Sequence, residues 1–382
     1  MSARSSDSET FEVPGDARTR RPAAMLSPTY FGIMLRALDL HMPSSFRVIA
    51  LVVVLCCPSH VLAQDAQTPP LDPPQPFESW LADFMTEARG KGFTEDLLSA
   101  TVANVTPLPT VITADRTQAE LTVGFARYLA TRLTPPVIRR GRELARQQRS
   151  VLRGIERRFD VQRRVLLAIW GLETRYGRVT GRTPIFQALA TLAWEPRRAP
   201  FFRGQLYDAL TVVANGYIDA ASMKGAWAGA MGQPQFMPSS YLQYAVDQDG
   251  DGRRDIWRSN ADALASIANY LKGSGWKGDE TWGREVQVTP AVRERIAAAV
   301  PRRTDGCYAM RNMTERVPLP EWRRLGVRLK NGRPLPRAQI AAGLVDTDDR
   351  SFLVYENYDA ILRYNCAHYY ALSVALLADR LQ

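Results

Sequence analysis

The chain has 382 residues, 46% of them hydrophobic, with a formal net charge of +10 and only three histidines and four cysteines. That length allows a large core and more than one domain, and the apolar fraction is that of a globular protein rather than a membrane bundle. The scarcity of histidine excludes multi-histidine zinc sites and any histidine-centred triad not built on His368, because His41 and His60 lie in the segment assigned below to a leader.

The first 63 residues read apart from the rest. After Met42 come a short basic start ending at Arg47, an apolar centre from Val48 to Cys57, Pro58, and Val61-Leu62-Ala63. This is the layout of a secretory signal, too short to span a bilayer, with cleavage expected at Ala63/Gln64. The residues upstream of Met42 are polar and featureless, so the reading treats them as a non-native extension and places the start at Met34 or Met42. Leu55 precedes Cys56 where a lipoprotein signal needs a small residue, so no lipid anchor is expected. Export to the periplasm leaves Cys307 and Cys366, which would either form one disulfide or remain two buried thiols; spacing does not decide. Residues 1–63 carry six arginines against five acids, so about +9 stays on the exported part. A basic exported protein points to an anionic partner such as a cell-wall polymer, and no base-stacking or groove-reading motif supports nucleic acid.

Residues 64–76 (QDAQTPPLDPPQP) form a Pro-rich linker, and residues 77–382 the folded region. Helical periodicity runs through Trp80, Leu81, Phe84 and Met85, then over Leu121–Arg132, Val137–Phe159, Val161–Glu173, Phe201–Asn215, Asp262–Lys272 and Tyr369–Leu381. Strand-like stretches occur near Glu285–Val288 and Phe352–Tyr355. The fold class is therefore mainly α, of the α+β type with a small β part.

Within the fourth of these helices, Val165-Leu166-Leu167-Ala168-Ile169-Trp170 is wholly apolar and leads into Glu173-Thr174-Arg175-Tyr176-Gly177. A carboxyl one turn beyond Ile169 and Trp170 would be desolvated, and its pKa raised toward the range of a general acid. A solvated helix-end glutamate paired with Arg175 or Arg178 is the competing reading of the same window. The segment Lys224–Tyr241 (KGAWAGAMGQPQFMPSSY) combines small residues with Gln233, Gln235, Trp227, Phe236 and Tyr241. It reads equally as a ligand-approach loop or as a tight helix crossing. Asp247-Gln248-Asp249-Gly250-Asp251-Gly252-Arg253-Arg254-Asp255 has oxygens at positions 1, 3, 5 and 9 of an EF-hand loop and the Arg253 carbonyl at 7, but Arg258 stands where a bidentate Glu is expected. A metal-free acidic turn is the competing reading.

These three motifs, in this order, resemble the membrane-bound lytic murein transglycosylase B family. The resemblance implies a lysozyme-like fold with an α-rich region, a catalytic core, a small β part and a deep glycan cleft. It implies non-hydrolytic cleavage of the MurNAc-β-1,4-GlcNAc bond in peptidoglycan, with Glu173 as the single acid/base and no catalytic cofactor. Gln235, Phe236, Tyr128, Tyr270, Tyr364 and Asn365 match substrate-binding positions, and Arg197 and Arg198 match a pair suited to peptide or lactyl carboxylates. Asp262 matches a closing ligand for a structural Ca2+ (or Na+) held with Asp247, Asp249, Asp251 and Arg253. Ala226 replaces a serine that some members use to orient the substrate acetamido group. Peptidoglycan strands are the implied partner, other cell-wall enzymes a further one, and the protein is expected to be a monomer. A hydrolytic muramidase and a non-catalytic glycan-binding scaffold are the alternatives.

Overall fold

The computed structural model describes residues 75–116 and 123–381; the segment expected to be a signal (1–63) and nearly all of the expected linker (64–76) lie outside them. The first helical layer comprises α1 (Phe77–Gly90), α2 (Glu95–Thr101) and α3 (Pro109–Arg116). Phe77, Trp80, Leu81, Phe84 and Ala88 on α1 are buried, the i, i+3, i+4 stripe that the sequence carries. Next come α4 (Phe125–Arg132), α5 (Pro135–Gln147), α6 (Arg149–Phe159) and α7 (Arg163–Thr174).

The helix expected over Val137–Phe159 is in fact two. Gln148 leaves the helical region (φ −95°, ψ 18°) and both caps α5 and opens α6. No proline or glycine marks the break. Leu144 on one side and Leu152, Ile155 and Phe159 on the other reach a shared core, so the apolar stripe runs unbroken across the bend.

Strand β1 (Thr183–Pro184) leads into α8 (Ile185–Trp194), followed by α9 (Ala199–Ala214), β2 (Lys224–Gly225) and α10 (Pro238–Tyr244). Eight of the ten residues of α8 are buried, so it lacks the polar face that periodicity detects. With α1, α9 and the 225–257 region it forms one hydrophobic cluster. The central helix α7 belongs to another, shared with α5, α6, α11 (Asn260–Gly273), α15 (Glu356–Tyr364) and α16 (His368–Arg380).

The small β part contains β3 (Gly283–Gln287), β4 (Val317–Pro318), β5 (Arg328–Leu329), β6 (Ala341–Asp346) and β7 (Ser351–Val354), in antiparallel order β4-β6-β7-β3-β5. Every residue of β7 is buried, with Leu353 paired to Leu344 on one side and Arg284 on the other. Helices α12 (Pro290–Ala299) and α14 (Leu319–Leu325) supply Val292, Ile296 and Trp322 to the third apolar cluster, on this sheet. The expected strands near 285 and 352 are β3 and β7; the edge strands β4 and β5, two residues each, are too short to show alternation. Among the described residues no helix is long and apolar enough to cross a membrane.

Candidate active site

Residues Val165 to Gly171 of α7 are buried without exception. Such a helix cannot end by fraying into water, and its end is built from three successive left-handed residues, Arg175 (φ 52°), Tyr176 (φ 62°) and Gly177 (φ 80°). Two of the three are not glycine, a conformation that persists only where surrounding contacts over-determine it. Here they do. The Tyr176 ring turns back edge-on to Trp170 at 5.6 Å, and its hydroxyl donates to the Val137 carbonyl at 2.9 Å. Gly171 makes room for that ring, since a Cβ there would lie 2.7 Å from it.

Gln233 locks the same turn from the other side. Its side-chain oxygen accepts from Trp170 Nε1 at 2.8 Å, and its backbone carbonyl accepts from the Thr174 hydroxyl at 2.9 Å. Its own N–H donates to the Ile256 carbonyl. A Cβ at Gly177 would fall 2.4 Å from the Gln233 side-chain oxygen, so the glycine lets the two segments touch. On the ligand-approach reading of the Lys224–Tyr241 segment Gln233 and Gln235 would both face a ligand, and Gln233 does not. It is instead 3% exposed and joins α7 to the loop that follows β2.

Glu173 is thus held at a rigid helix end. The Tyr370 hydroxyl, from α16, donates to its Oε1 at 2.5 Å. Desolvation raises its pKa from 4.5 to about 7, and the bond from Tyr370 and the positive charge of Arg132 only partly oppose that rise. The walls are more phenolic than the purely apolar setting expected, because Tyr128 on α4, Tyr364 on α15 and Tyr370 all lie close enough for the Glu173 charge to act on them. No ion pair joins it to Arg175 or Arg178 among the described residues, and both arginines are exposed. No carboxylate is among the groups that bias its titration.

The segment expected either to approach a ligand or to form a helix crossing is a loop. Gly225 pairs with Thr183, and bridges join Gly225 to Met231 and Met231 to Phe236. Gln235 has φ 53°, and its side-chain N–H groups donate to Thr180 O at 3.1 Å and Gly232 O at 2.9 Å, which leaves the side-chain oxygen for a ligand. Phe236 is 2% exposed, with ring centroids 5.7 Å from Tyr270 and 5.9 Å from Tyr364, so its ring supports the site rather than presenting a face. Tyr364 donates to Pro234 O and Tyr270 to Arg363 O, each at 2.6 Å. These rings therefore clamp the Gly232–Phe236 loop to α11 and α15. Tyr128 packs on Tyr369 with Arg132 over its ring, and Asn365 is exposed just beyond α15. The Ala226 N–H donates to the Ala230 carbonyl, and its methyl offers no hydrogen bond.

Arg197 and Arg198 are not the free cationic fork that the resemblance implies. Both clamp Asp115, which is 1% exposed: Arg197 Nε donates to Asp115 Oδ2 at 2.7 Å, and Arg198 bonds the other carboxylate oxygen. A buried carboxylate must be paired, and here two guanidiniums hold its pKa down against desolvation. Nothing in the sequence around Asp115 signalled this pairing across more than 80 residues.

The acidic loop draws its carboxylates together. Carboxylate oxygens of Asp247, Asp249, Asp251 and Asp262 all lie within 4.8 Å of one another. Asp262 is fully buried and accepts from the backbone N–H groups of Gln248, Asp249 and Asp255, which fold the loop around it. Asp255, at position 9, points away and caps the N–H groups of Trp257 and Arg258. Four clustered carboxylates, one of them buried with no cationic partner among the described residues, fit a hard divalent cation.

Cys307 and Cys366 form a disulfide, with Cα atoms 6.3 Å apart. It ties the short turn between α15 and α16, which separates Tyr364 from Tyr370, to α13 (Tyr308–Arg311). His368 opens α16, and its Nδ1 meets the Tyr358 hydroxyl at 3.1 Å. Burial lowers its pKa to about 4, so it is neutral at ordinary pH. The residue missed altogether is Tyr370. It stands 197 positions from Glu173, and only the local density of tyrosines hinted at it.

A lysozyme-like, mainly helical fold with one isolated, proton-retaining carboxyl among tyrosines defines a glycan-processing class of protein. The chain belongs to the transglycosylase SLT domain family, whose model matches residues 76–379. It is 34% identical over 255 residues to the membrane-bound lytic murein transglycosylase B of Escherichia coli (strain K12), covering 65% of this chain and 65% of that protein. The chain thus spans just under two thirds of that relative's length. SltB3 from Pseudomonas aeruginosa, solved in complex with a NAG-anhNAM-pentapeptide, is 40% identical with 80% of each chain covered and a TM-score of 0.72. The E. coli lytic transglycosylase Slt35 in complex with calcium is 30% identical, covering 80% of this chain and 92% of that one, with a TM-score of 0.66.

Proposed function

We propose that the protein cleaves the β-1,4 bond between N-acetylmuramic acid and N-acetylglucosamine in peptidoglycan without consuming water, and that Glu173 serves as both acid and base. The observation that carries this reading is a carboxyl whose pKa of about 7 keeps much of it protonated near neutrality, with no second carboxylate biasing it. Ordinary glycosidases need two carboxyls; substrate assistance is the recognised alternative.

In the first step Glu173 donates its proton to the glycosidic oxygen as the C1–O bond breaks. The substrate's own 2-acetamido oxygen stabilises the cationic C1. The Glu173 carboxylate then removes the proton of the muramoyl C6 hydroxyl, and O6 bonds to C1 to close a 1,6-anhydro ring. The proton lost in the first step is regained in the second, so the enzyme is restored. Tyr370 steadies the carboxylate between the steps by donating to Oε1. Gln235 contributes its free side-chain oxygen to the sugar, Tyr128, Tyr270, Tyr364 and Asn365 line its path, and Phe236 backs that wall. The acetamido group is oriented without a serine hydroxyl at position 226, a task left to these neighbours.

The acidic loop would hold one Ca2+ (or Na+) through Asp247, Asp249, Asp251 and Asp262 with the Arg253 carbonyl. That ion would fix the segment leading into Trp257 and α11, and takes no part in the chemistry. Residues 1–63 as a signal, 64–76 as a linker and a periplasmic location complete the reading, with glycan strands as partner and a monomeric enzyme.

Incubation of purified peptidoglycan with the wild type and with Glu173→Gln tests it. Soluble muropeptides are expected from the wild type alone; equal release by the variant removes Glu173 from the mechanism. Ala226→Ser tests the orienting role, which is irrelevant here if turnover does not change.

A further inference from the structure

The positive charge of this protein is concentrated. Residues 135–164 carry ten arginines against Glu143, Glu156 and Asp160, a net +7, whereas the whole chain carries +10. This stretch is α5, α6 and the start of α7, which pack on one another. Where α5 meets the start of α7 and the end of α16, the surface sinks into an open basin of about 470 Å³ lined by Arg142, Ala145, Arg146, Arg149, Arg163 and Leu381.

Four guanidiniums converge there with little to neutralise them. Glu156 pairs with Arg163 at 3.1 Å, and Arg142 donates through Nε to the Arg380 carbonyl, which keeps its terminal N–H groups free. Arg149 makes no ion pair among the described residues, and Arg146 feels the Glu143 charge only at a distance, because Arg140 holds that carboxylate at 2.9 Å. Glu156 also accepts from the Arg163 backbone N–H at 3.1 Å, so this one carboxylate is shared between the start of α7 and the Arg163 guanidinium. Mutual repulsion among exposed guanidiniums has no structural benefit of its own, whereas a planar fork of N–H groups matches phosphate oxygens in bidentate fashion. A free phosphate brings up to two charges and at least three acceptor oxygens, and a phosphodiester headgroup one charge and two, in a tetrahedral array that more than one guanidinium can bond at once.

We propose that this basin is a second binding site, for a phosphate group presented either free or as the headgroup of an anionic phospholipid. It is separate from the glycan site: Arg163 and Glu173 lie at opposite ends of α7, ten residues or roughly 15 Å apart at the helical rise.

The full chain is tested by calorimetric titration with inorganic phosphate at constant ionic strength, and by co-sedimentation with vesicles of phosphatidylglycerol or of phosphatidylcholine alone. Arg146→Gln/Arg149→Gln removes two of the four guanidiniums that line the basin. Arg323→Gln/Arg337→Gln makes the same charge change at exposed positions elsewhere. The inference expects the basin variant to weaken binding at least about tenfold and the control variant to bind as the wild type does. Binding of free phosphate assigns the site to the soluble anion; binding of phosphatidylglycerol vesicles alone assigns it to the headgroup. All four arginines are exposed, so the variants should fold, which far-ultraviolet circular dichroism verifies. The inference is overturned if neither probe binds the wild type, if the basin variant binds as tightly as wild type, or if the control variant loses binding equally.

Discussion

Replacing Glu173 by Gln should make the protein more stable at alkaline pH while leaving acid stability nearly unchanged. Burial raises the folded carboxyl from 4.5 to about 7, so between these values the folded state holds a proton that the unfolded chain has released. Stability therefore falls as pH rises through that window and levels off above it. Each pH unit is worth about 1.4 kcal/mol, so a charged Glu173 costs the wild type roughly 2–3 kcal/mol at pH 8, after allowance for the partial solvent access of its side chain. Glutamine keeps the shape and can still accept from Tyr370, but it carries no charge to desolvate. Urea unfolding of both proteins at pH 5 and pH 8 measures the difference. In a domain this large the alkaline gain amounts to about 4–6 °C in melting temperature. A gain of equal size at both pH values would refute the argument that desolvation of this carboxyl sets its proton affinity.

Tyr370→Phe removes a bond that lowers the Glu173 pKa, so the alkaline limb of the pH–activity profile should move up by about one unit while the rate at its optimum falls. An unmoved limb would show that Tyr370 does not act on the acid. Gln233→Ala leaves the buried Trp170 Nε1 without its acceptor and should cost about 1–3 kcal/mol in chemical unfolding. If a structural cation fills the acidic loop, chelation should lower the melting temperature of the wild type but not of Asp262→Asn, which scanning calorimetry with and without added calcium resolves. The Cys307–Cys366 bridge closes a 59-residue separation, so Cys366→Ser should destabilise the fold by about 2–4 kcal/mol.

What the sequence disclosed was local. The apolar run before Glu173 placed a desolvated carboxyl at a helix end, and the Asp spacing from 247 to 251 placed the acidic cluster; both depend on neighbours a few residues away. Asp262 came only with the family resemblance, since the loop motif itself puts Arg258 at its closing position. Interactions across long separations stayed hidden. Tyr370 meets Glu173, and Asp115 captures Arg197 and Arg198, through packing that no window of the chain records. The bend at Gln148 was invisible because the buried stripe continues through it, and α8 because it is buried nearly all round. Gln233 and Gln235 illustrate the same limit: two glutamines two residues apart, one sealed inside as a joint and the other with a free oxygen.

The most direct test of a lone acid/base working without water is the mass of the products. Mass spectrometry of muropeptides released from purified peptidoglycan should find muramic ends lighter by one water than those left by a hydrolytic muramidase, and Glu173→Gln should release none. Fully hydrated reducing ends would contradict the account: Glu173 would then be activating water, and the intramolecular closure on C6 would not occur.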